Sequence, residues 1–202
     1  IDAVDPMTSK DVLDATSLPD SGVVMGFGYV GIELVPYLAA AGVDLTVIEH
    51  DDRPIDEADP EFGDELMALY REAFGVDILT NAYEQRIEST ADGVRLSVEG
   101  DNGKRVIEAD ELFAFTGRQP TLDGLGLDNT AIEPGEGWVE DTMAAVDDER
   151  VFVVGDVNDR EPILHVAKEQ GFAAAENILA HHASEPMAPY DPIHHHVIFS
   201  GA

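Results

Sequence analysis

Three glycines within six residues, Gly26, Gly28 and Gly31, constrain the fold of this chain more than any other feature of its sequence. A short apolar stretch at 23–25 precedes them, and residues 29–41 carry apolar side chains at helical spacing. The pattern predicts a buried strand, a sharp turn and a helix, in that order.

A second apolar stretch at 45–48 ends at Glu49 and predicts a parallel partner strand, which makes 21–49 a βαβ unit. Gly42 stands where a C-cap glycine is expected, and Pro36 is expected to bend the helix in its interior. The buried face of the helix is predicted to carry Val30, Leu34, Tyr37 and Leu38.

Further along, the sequence predicts one more helix and then a change from helical to alternating apolar spacing. The helix is predicted over 60–74, ending at Gly75, with a buried face of Phe62, Leu66, Leu69, Tyr70 and Ala73. Strands are predicted at 76–79, 86–89, 94–98, 105–108 and 112–115, with tight turns at Asp92-Gly93 and Asn102-Gly103. The fold class is therefore α/β: a Rossmann-like parallel sheet interrupted by a three-stranded β-meander.

The last third of the chain has a different pattern, with a turn-rich part followed by one strand and one helix. The predicted segments are turns at 121–150, a buried strand at 151–154, a helix at 166–179, a loop at 183–192 and a strand at 197–199. We expect a connecting arm at 1–20, a first domain at 21–118, a second segment at 119–191 and the start of a further domain at 192–202.

The glycine run has a chemical interpretation. The amino end of a helix presents unpaired N–H groups and the positive end of the helix dipole, which together suit a pyrophosphate. Gly26 would allow the turn off the strand, Gly28 would let the backbone approach the phosphates, and Gly31 would let helix and strand pack closely. Such a run alone could be a mere tight turn, but its place between a strand and a helix favours a dinucleotide site.

Glu49 lies 18 positions after Gly31, at the end of the second predicted strand. A carboxylate there would accept hydrogen bonds from the ribose hydroxyls of the adenosine and repel a 2′-phosphate. Asp51 and Asp52 add negative charge, and Arg53 is the nearby cation. The sequence therefore predicts NAD over NADP, against the alternative that Glu49 is one more of 42 acidic residues.

Glu33 is expected to be buried, two residues into the helix after Gly31. The helix dipole favours a carboxylate near a helix start. The residues alone leave open whether Glu33 serves a ligand or only caps the helix.

Four segments carry recognisable motifs in a fixed order. They are the glycine run from Val23 to Glu33, A-F-T-G-R-Q-P at 114–120, the apolar strand ending in Gly-Asp at 151–157, and P-I-L-H-V-A at 162–167. Together they resemble the FAD-dependent pyridine nucleotide–disulfide oxidoreductases, and the meander is also that family's pattern. The resemblance implies that 21–118 binds NAD and that 119–191 is the second segment of an FAD-binding domain.

The resemblance implies a role for each matched residue. On the NAD side, Tyr29 would match the ring that covers the flavin, Glu33 the acid beside the nicotinamide, and Glu49 the ribose ligand, while Gly117 would line the cleft. The pyrophosphate would lie on the loop of Gly26, Phe27, Gly28, Tyr29, Val30, Gly31 and Ile32. On the FAD side, Asp156 would bind the ribityl chain, and backbone amides at the helix start of Ile163, Leu164 and His165 would steady the flavin.

Several parts of the family pattern are absent from this sequence: its first FAD glycine motif, its redox cysteine pair, since the chain has no cysteine, and the lysine beside the flavin. The chain starts without Met and stops in an apolar run, so we expect a piece of a longer protein that lacks the dimerisation domain. We therefore expect no catalytic residue here and no turnover by the piece alone, and the family resemblance implies a homodimer for the intact enzyme.

The expected activity passes electrons between a dithiol, FAD and NAD. Because Glu49 favours NAD, the first candidate is an enzyme that acts on dihydrolipoamide or a lipoyl-bearing protein. Mercuric and glutathione-type reductases and NADH oxidases carry the same motifs, and a non-catalytic NAD-binding module is the alternative from another class.

The chain is strongly acidic, with 42 acidic and 11 basic residues and a formal net charge of −31. This charge disfavours nucleic acid and anionic membranes as partners. Acid-rich, lysine-poor surfaces resemble those of proteins from salt-loving archaea, so we expect a halophilic cytoplasm. His194, His195 and His196 are expected to form a solvated loop and not a metal site, because neighbouring strand residues point to opposite faces.

Overall fold

The computed structural model describes residues 4–55, 58–101, 103–158, 160–191 and 199. The chain divides into two compact units, one that runs to Gly117 and one that starts at Arg118. Which cofactor each unit binds stays a prediction.

The first unit is built on a four-stranded parallel sheet. Its helices are α1 (Ser9–Asp14), α2 (Tyr29–Ala40) and α3 (Pro60–Phe74). Its strands are β1 (Ser21–Met25), β2 (Asp44–Ile48), β3 (Asp77–Leu79), β4 (Tyr83–Thr90), β5 (Gly93–Gly100), β6 (Gly103–Ala109) and β7 (Glu111–Ala114). The parallel sheet has the order β3-β2-β1-β7, so the predicted βαβ unit and α/β class are confirmed.

The two faces of this sheet are covered differently. Helices α2 and α3 pack on one face, in a cluster that includes Val24, Val47 and Phe113. The antiparallel meander β4-β5-β6 packs on the other face, where Leu96 of β5 lies with Met25 in a second cluster. Since both faces are covered, the strands of the parallel sheet are mainly apolar after their first residues, as at 23–25 in β1 and 112–114 in β7.

Helix α2 turns a different face to the core from the one predicted. Ile32, Val35 and Leu38 are fully buried, whereas Tyr37 is 52% exposed. The prediction for Tyr37 was therefore wrong, because the buried stripe runs through 31, 32, 35 and 38. Gly42 has a φ of +99°, as expected for the glycine after a helix end.

Helix α3 has the predicted bounds, set by its caps. The Asp59 carboxylate accepts a hydrogen bond from the Glu61 N–H at 3.0 Å, and Gly75 closes the helix in the left-handed conformation. Its predicted face was partly wrong, since Phe62 and Ala73 are exposed. The helix instead turns Gly63 inward, where a Cβ would lie 3.1 Å from the Pro54 carbonyl oxygen.

The predicted arm at 1–20 is more than a connector. The Met7 N–H donates to the Leu112 carbonyl at 2.8 Å, and the Ala114 N–H donates to the Met7 carbonyl at 2.9 Å. Val12 of α1 is 1% exposed. Met7 therefore adds a single parallel bridge to β7 at Phe113.

The second unit is smaller and more irregular. It contains two short 3₁₀ turns, Leu127–Asn129 and Gly155–Asn158. Its other elements are β8 (Ala144–Ala145), β9 (Asp148–Phe152) and helix α4 (Leu164–Ala183). The buried strand predicted at 151–154 is displaced: β9 ends at Phe152, pairs antiparallel with the two-residue β8, and is only half-buried at Val151 and Phe152.

Helix α4 begins two residues before and ends four residues after the predicted 166–179, and neither glycine nor proline stands between Gly171 and its last residue. Leu164, Phe172 and Leu179 on it are exposed. Among the described residues, no helix is both long and apolar enough to cross a lipid bilayer. The strand predicted at 197–199 and the domain start at 192–202 fall almost wholly outside the described residues.

Candidate nucleotide-binding site

The glycine loop between β1 and α2 is held by two close backbone approaches. Gly26 has a φ of +92°, and a Cβ on it would lie 2.7 Å from the Phe115 carbonyl oxygen. A Cβ on Gly31 would lie 2.5 Å from the carbonyl oxygen of Gly26 itself. Both distances are shorter than real Cβ contacts, so a side chain at either position would displace backbone atoms.

Gly28 differs from its two neighbours in the motif. A Cβ built on it meets no heavy atom within 4 Å, and its φ of −73° is open to any residue. Protein packing therefore does not require glycine at 28. A ligand that approaches the backbone from the open side would require it, which is the role that dinucleotide loops give this position.

The amino end of α2 carries no negative charge from its own first turn. Its N-cap is Gly28, its first turn holds no acidic residue, and no side chain among the described residues caps it. The positive end of the helix dipole therefore meets no carboxylate from the first turn of the helix itself, and the Glu49 carboxylate bonds the Phe27 N–H just before it. The loop fits a pyrophosphate in both shape and charge.

Three residues of the loop contribute backbone rather than side chains. Phe27 and Ile32 are fully buried in the helix-side cluster, and Val30 is partly buried against it. Their apolar side chains anchor the loop in the cluster between the helices and the sheet. Only their peptide groups are then available for a nucleotide.

Glu49, directly after β2, is hydrogen-bonded to the glycine loop. Its Oε2 accepts from the Phe27 N–H at 2.6 Å, and its Oε1 accepts from the Asp51 N–H at 3.2 Å. The carboxylate is half-buried. Two backbone donors therefore hold this acid at the edge of the loop, at the place that the sequence predicts for a ribose ligand.

The cation next to this acid is already paired. The Arg53 guanidinium donates to both carboxylate oxygens of Asp52, at 3.0 and 2.7 Å. The hydrogen bond to Arg53 lowers the pKa of Asp52, and the same bond raises the pKa of Arg53. A 2′-phosphate would have to compete with Asp52 for this guanidinium.

Tyr29 and Glu33 lie one turn apart on α2. Tyr29 is 44% exposed. Glu33 is also exposed, so the prediction that it is buried was wrong. It is the fifth residue of α2 rather than part of the first turn, and so it does not cap the helix; the N-cap is Gly28. Both side chains are accessible to a ligand on this face.

Gly117 ends the first unit with a φ of +111°, and a Cβ on it would meet no heavy atom within 4 Å. Its conformation explains the glycine, since other residues are strained there. Its proposed place in an NAD cleft stays a prediction.

In the second unit, Asp156 is exposed on the 3₁₀ turn Gly155–Asn158. The turn is fixed from α4: the Gly155 N–H and the Asn158 side-chain amide both donate to Oε1 of Gln170, at 2.7 and 2.8 Å. Gln170 is 1% exposed and Asn158 is 3% exposed. Buried amides are retained where their hydrogen bonds are satisfied, and here they set the position of Asp156.

The sequence analysis did not predict the buried pair of Gln170 and Asn158, nor the buried Asn177. The Asn177 amide donates to the carbonyls of Thr142 and Ala188 at 2.9 and 2.8 Å, and so attaches the segment after α4. The available signal was spacing, since polar residues 170 and 177 interrupt the buried stripe of Val166 and Ala174. A polar residue in such a stripe predicts a buried hydrogen bond.

The first turn of α4 carries no acidic residue, and Glu161 lies two residues before its N-cap. Ile163 is its N-cap, no described side chain caps it, and its first turn holds no acid. Leu164 is 72% exposed and His165 is half-buried. A helix start without an acid in its first turn suits the flavin contact that the motif implies, and this contact stays a prediction.

Within the described residues, no three His, Asp or Glu side chains are grouped so as to hold a metal ion. His194, His195 and His196 lie outside the described residues.

Comparison with known proteins gives consistent matches over most of the chain. The family described as "Pyridine nucleotide-disulphide oxidoreductase" matches residues 1–171. A dihydrolipoyl dehydrogenase of Halobacterium salinarum is 35% identical over 188 residues, which are 90% of this chain and 38% of that protein. A mercuric reductase of Bacillus cereus is 32% identical over 181 residues, 89% of this chain and 28% of that protein.

The solved structures agree on the fold. LpdA from Mycobacterium tuberculosis has a TM-score of 0.75 and 27% sequence identity, covering 92% of this chain and 39% of that one. The flavoprotein disulfide reductase RclA from Escherichia coli, at 23% identity and a TM-score of 0.73, supports the fold alone. The chain thus spans about two fifths or less of the length of these relatives.

Proposed function

The chain belongs to the pyridine nucleotide-disulphide oxidoreductase family, and on that premise we propose that it is the NAD-binding part of a flavoprotein disulfide reductase. Members of this family are oxidoreductases that use FAD and NAD(P). The proposed enzyme transfers electrons between a dithiol, FAD and NAD, and the flavin supplies the two-electron chemistry between the other two.

The hydrogen bond from the Phe27 N–H to Glu49 carries the proposal. It fixes a carboxylate beside the loop whose glycines and uncapped helix start suit a pyrophosphate. The acid is thus oriented to accept the ribose hydroxyls, and a 2′-phosphate would have to compete with Asp52 for the Arg53 guanidinium. Tyr29, Glu33 and Gly117 are proposed to complete this site.

Within the family, we place the activity on dihydrolipoamide or a lipoyl-bearing protein first. Glu49 favours NAD, and relatives named dihydrolipoyl dehydrogenase from Halobacterium salinarum and Bacillus subtilis are 35% and 29% identical to this chain. Mercuric reductase is the second candidate, because the relative from Bacillus cereus is 32% identical. A glutathione-type reductase, an NADH oxidase and a non-catalytic NAD-binding module are the further alternatives.

The second unit is proposed to contribute Asp156 and the amino end of α4, around Ile163, Leu164 and His165, to FAD binding. It contains a single two-stranded sheet among its described residues. We therefore expect this chain alone to hold FAD weakly and to give no lipoamide-dependent NADH formation. The intact enzyme is proposed to be a homodimer.

Titration of the chain with NADH and NADPH in molar salt, followed by nucleotide fluorescence, tests the proposed site. We expect NADH to bind about tenfold more tightly than NADPH, a difference of about 1.4 kcal/mol. Glu49→Gln keeps the size of the side chain and an acceptor for the Phe27 N–H but removes the charge. It is expected to reduce the preference to within about twofold, because the repulsion of the 2′-phosphate is gone.

Asp44→Asn, at the opposite end of β2, is the matched control, and it should leave the preference unchanged. Equal affinity of the unchanged chain for both nucleotides would remove the proposed role of Glu49. Absence of binding by either nucleotide would reject the nucleotide site itself.

We also propose that the protein works in a halophilic cytoplasm. Its net charge is −31, and a relative from Halobacterium salinarum is 35% identical. Salt screens repulsion among surface carboxylates over a Debye length of about 3 Å at 1 M, against about 30 Å at 0.01 M. Thermal unfolding followed by circular dichroism should therefore shift to lower temperature as KCl falls from molar to millimolar, and an unchanged midpoint would contradict the proposal.

A further inference from the structure

Pro36 lies in the interior of α2, where proline removes a helical hydrogen bond. Helix α2 is twelve residues long and runs through this position without a break. Proline has no N–H, so the carbonyl of Ile32, four residues earlier, loses its regular backbone donor. Ile32 is fully buried, and water therefore does not offer an easy replacement.

A side chain from the neighbouring helix supplies the donor. The Tyr70 hydroxyl of α3 donates to the Ile32 carbonyl oxygen at 2.6 Å, and Tyr70 is 0% exposed. Burial raises the pKa of Tyr70 above its ordinary value, and the charge of Glu33 raises it further. The hydroxyl therefore keeps its proton, and remains a donor, near neutral pH.

Tyr70 also reaches the glycine loop by two routes. The Ile32 N–H donates to the Gly28 carbonyl at 2.9 Å, so the residue that Tyr70 holds is itself bonded to the loop. The Tyr70 ring packs on the ring of Phe27, with centroids 5.5 Å apart and planes tilted by 58°. The Phe27 N–H in turn bonds Glu49. Tyr70 thus contacts the segments on both sides of Gly28.

We propose that Tyr70 is a positioning residue for the nucleotide loop. Its hydroxyl replaces the donor that Pro36 removes, and through Ile32 and Phe27 it holds the start of α2 and the Glu49 bond in place. The inference rests on the proposed NAD site, although the hydrogen bond that it invokes exists independently of any ligand.

The pairing with Pro36 makes the inference testable by a double-mutant cycle. Tyr70→Phe removes the hydroxyl and leaves the ring. Pro36→Ala restores a backbone N–H that donates to the Ile32 carbonyl. With proline at 36, Tyr70→Phe is expected to weaken NADH binding about five- to tenfold and to speed amide exchange at Ile32; with alanine at 36, both effects should fall below about twofold.

Two controls separate positioning from general stability. Tyr37→Phe removes the hydroxyl of an exposed tyrosine on the same helix and should change neither readout. Leu96→Val disturbs the meander cluster on the other face of the sheet; it should lower the unfolding midpoint without changing NADH affinity.

The inference would be overturned if Tyr70→Phe left both NADH affinity and the rate of amide exchange at Ile32 within twofold of the values for the unchanged chain. An equal loss in both backgrounds would also overturn it, because the restored N–H would then make no difference. If the unchanged chain binds no NADH, the proposed function fails. The amide exchange of Ile32 then decides the inference alone, with coupling to Pro36 supporting it and no coupling overturning it.

Discussion

A single methyl group at Gly26 is expected to destabilise the first unit severely. In Gly26→Ala the new Cβ would lie 2.7 Å from the Phe115 carbonyl oxygen, and the residue would keep a φ of +92°. The backbone strain costs roughly 1–2 kcal/mol, and the forced contact costs about 1–3 kcal/mol more. A loss of about 2–5 kcal/mol is expected in the free energy of unfolding, measured by denaturant titration in molar salt.

Gly42→Ala is the matched control for this substitution. Gly42 has a similar φ of +99°, but a Cβ there would meet no heavy atom within 4 Å. It should therefore lose only the strain, about 1–2 kcal/mol. An equal loss in both variants would show that the close approach to Phe115 is not what requires glycine at 26.

A side chain at position 28 is expected to leave the fold intact and to weaken nucleotide binding, whereas a side chain at position 26 destabilises the fold. The Cβ of Gly28→Val finds open space and an ordinary extended backbone, so its free energy of unfolding should fall by no more than about 1 kcal/mol, the cost of a poorer N-cap. The branched side chain would occupy the side from which the pyrophosphate approaches. An overpacking penalty of about 1–3 kcal/mol corresponds to roughly a five- to 150-fold loss of NADH affinity.

Gly28→Ala should give an intermediate loss of affinity, because it adds one methyl group instead of three carbons. Isothermal titration with NADH on both variants measures the series. Unchanged affinity in Gly28→Val would mean that the nucleotide does not pass over Gly28. The proposed pyrophosphate site would then be wrong, because the retained stability of the variant excludes misfolding as the explanation.

The parts of the fold that the sequence predicts are those determined by local signals. Helix α3 has its predicted bounds because Asp59 and Gly75 cap it, and the meander follows from alternating apolar residues and turn glycines. The buried faces of α2 and α3 were less predictable, as Tyr37 and Phe62 show. Apolar residues adjoin the core stripe on both sides, and only packing selects the stripe that is buried.

The contacts that organise the site join residues distant in the chain, and no local pattern encodes them. The Phe27–Glu49 bond spans 22 positions, and the Tyr70–Ile32 bond spans 38. The sequence indicates both ends of each contact, through a glycine loop, an acid after a strand, a proline inside a helix and an apolar tyrosine. It does not indicate which ends meet.

The place of β1 in the middle of the parallel sheet affects the order in which this chain can fold. Its partner β7 arrives late: the bond from the Ser21 N–H to the Asp110 carboxylate beside that ladder spans 89 positions. The hairpins of the meander close loops of a few residues. Pairing of β1 with β7 closes a much longer loop, which has a larger entropy cost. On a ribosome that releases the chain from its amino end, the strand leading into the glycine loop therefore remains an open edge until 111–114 have emerged.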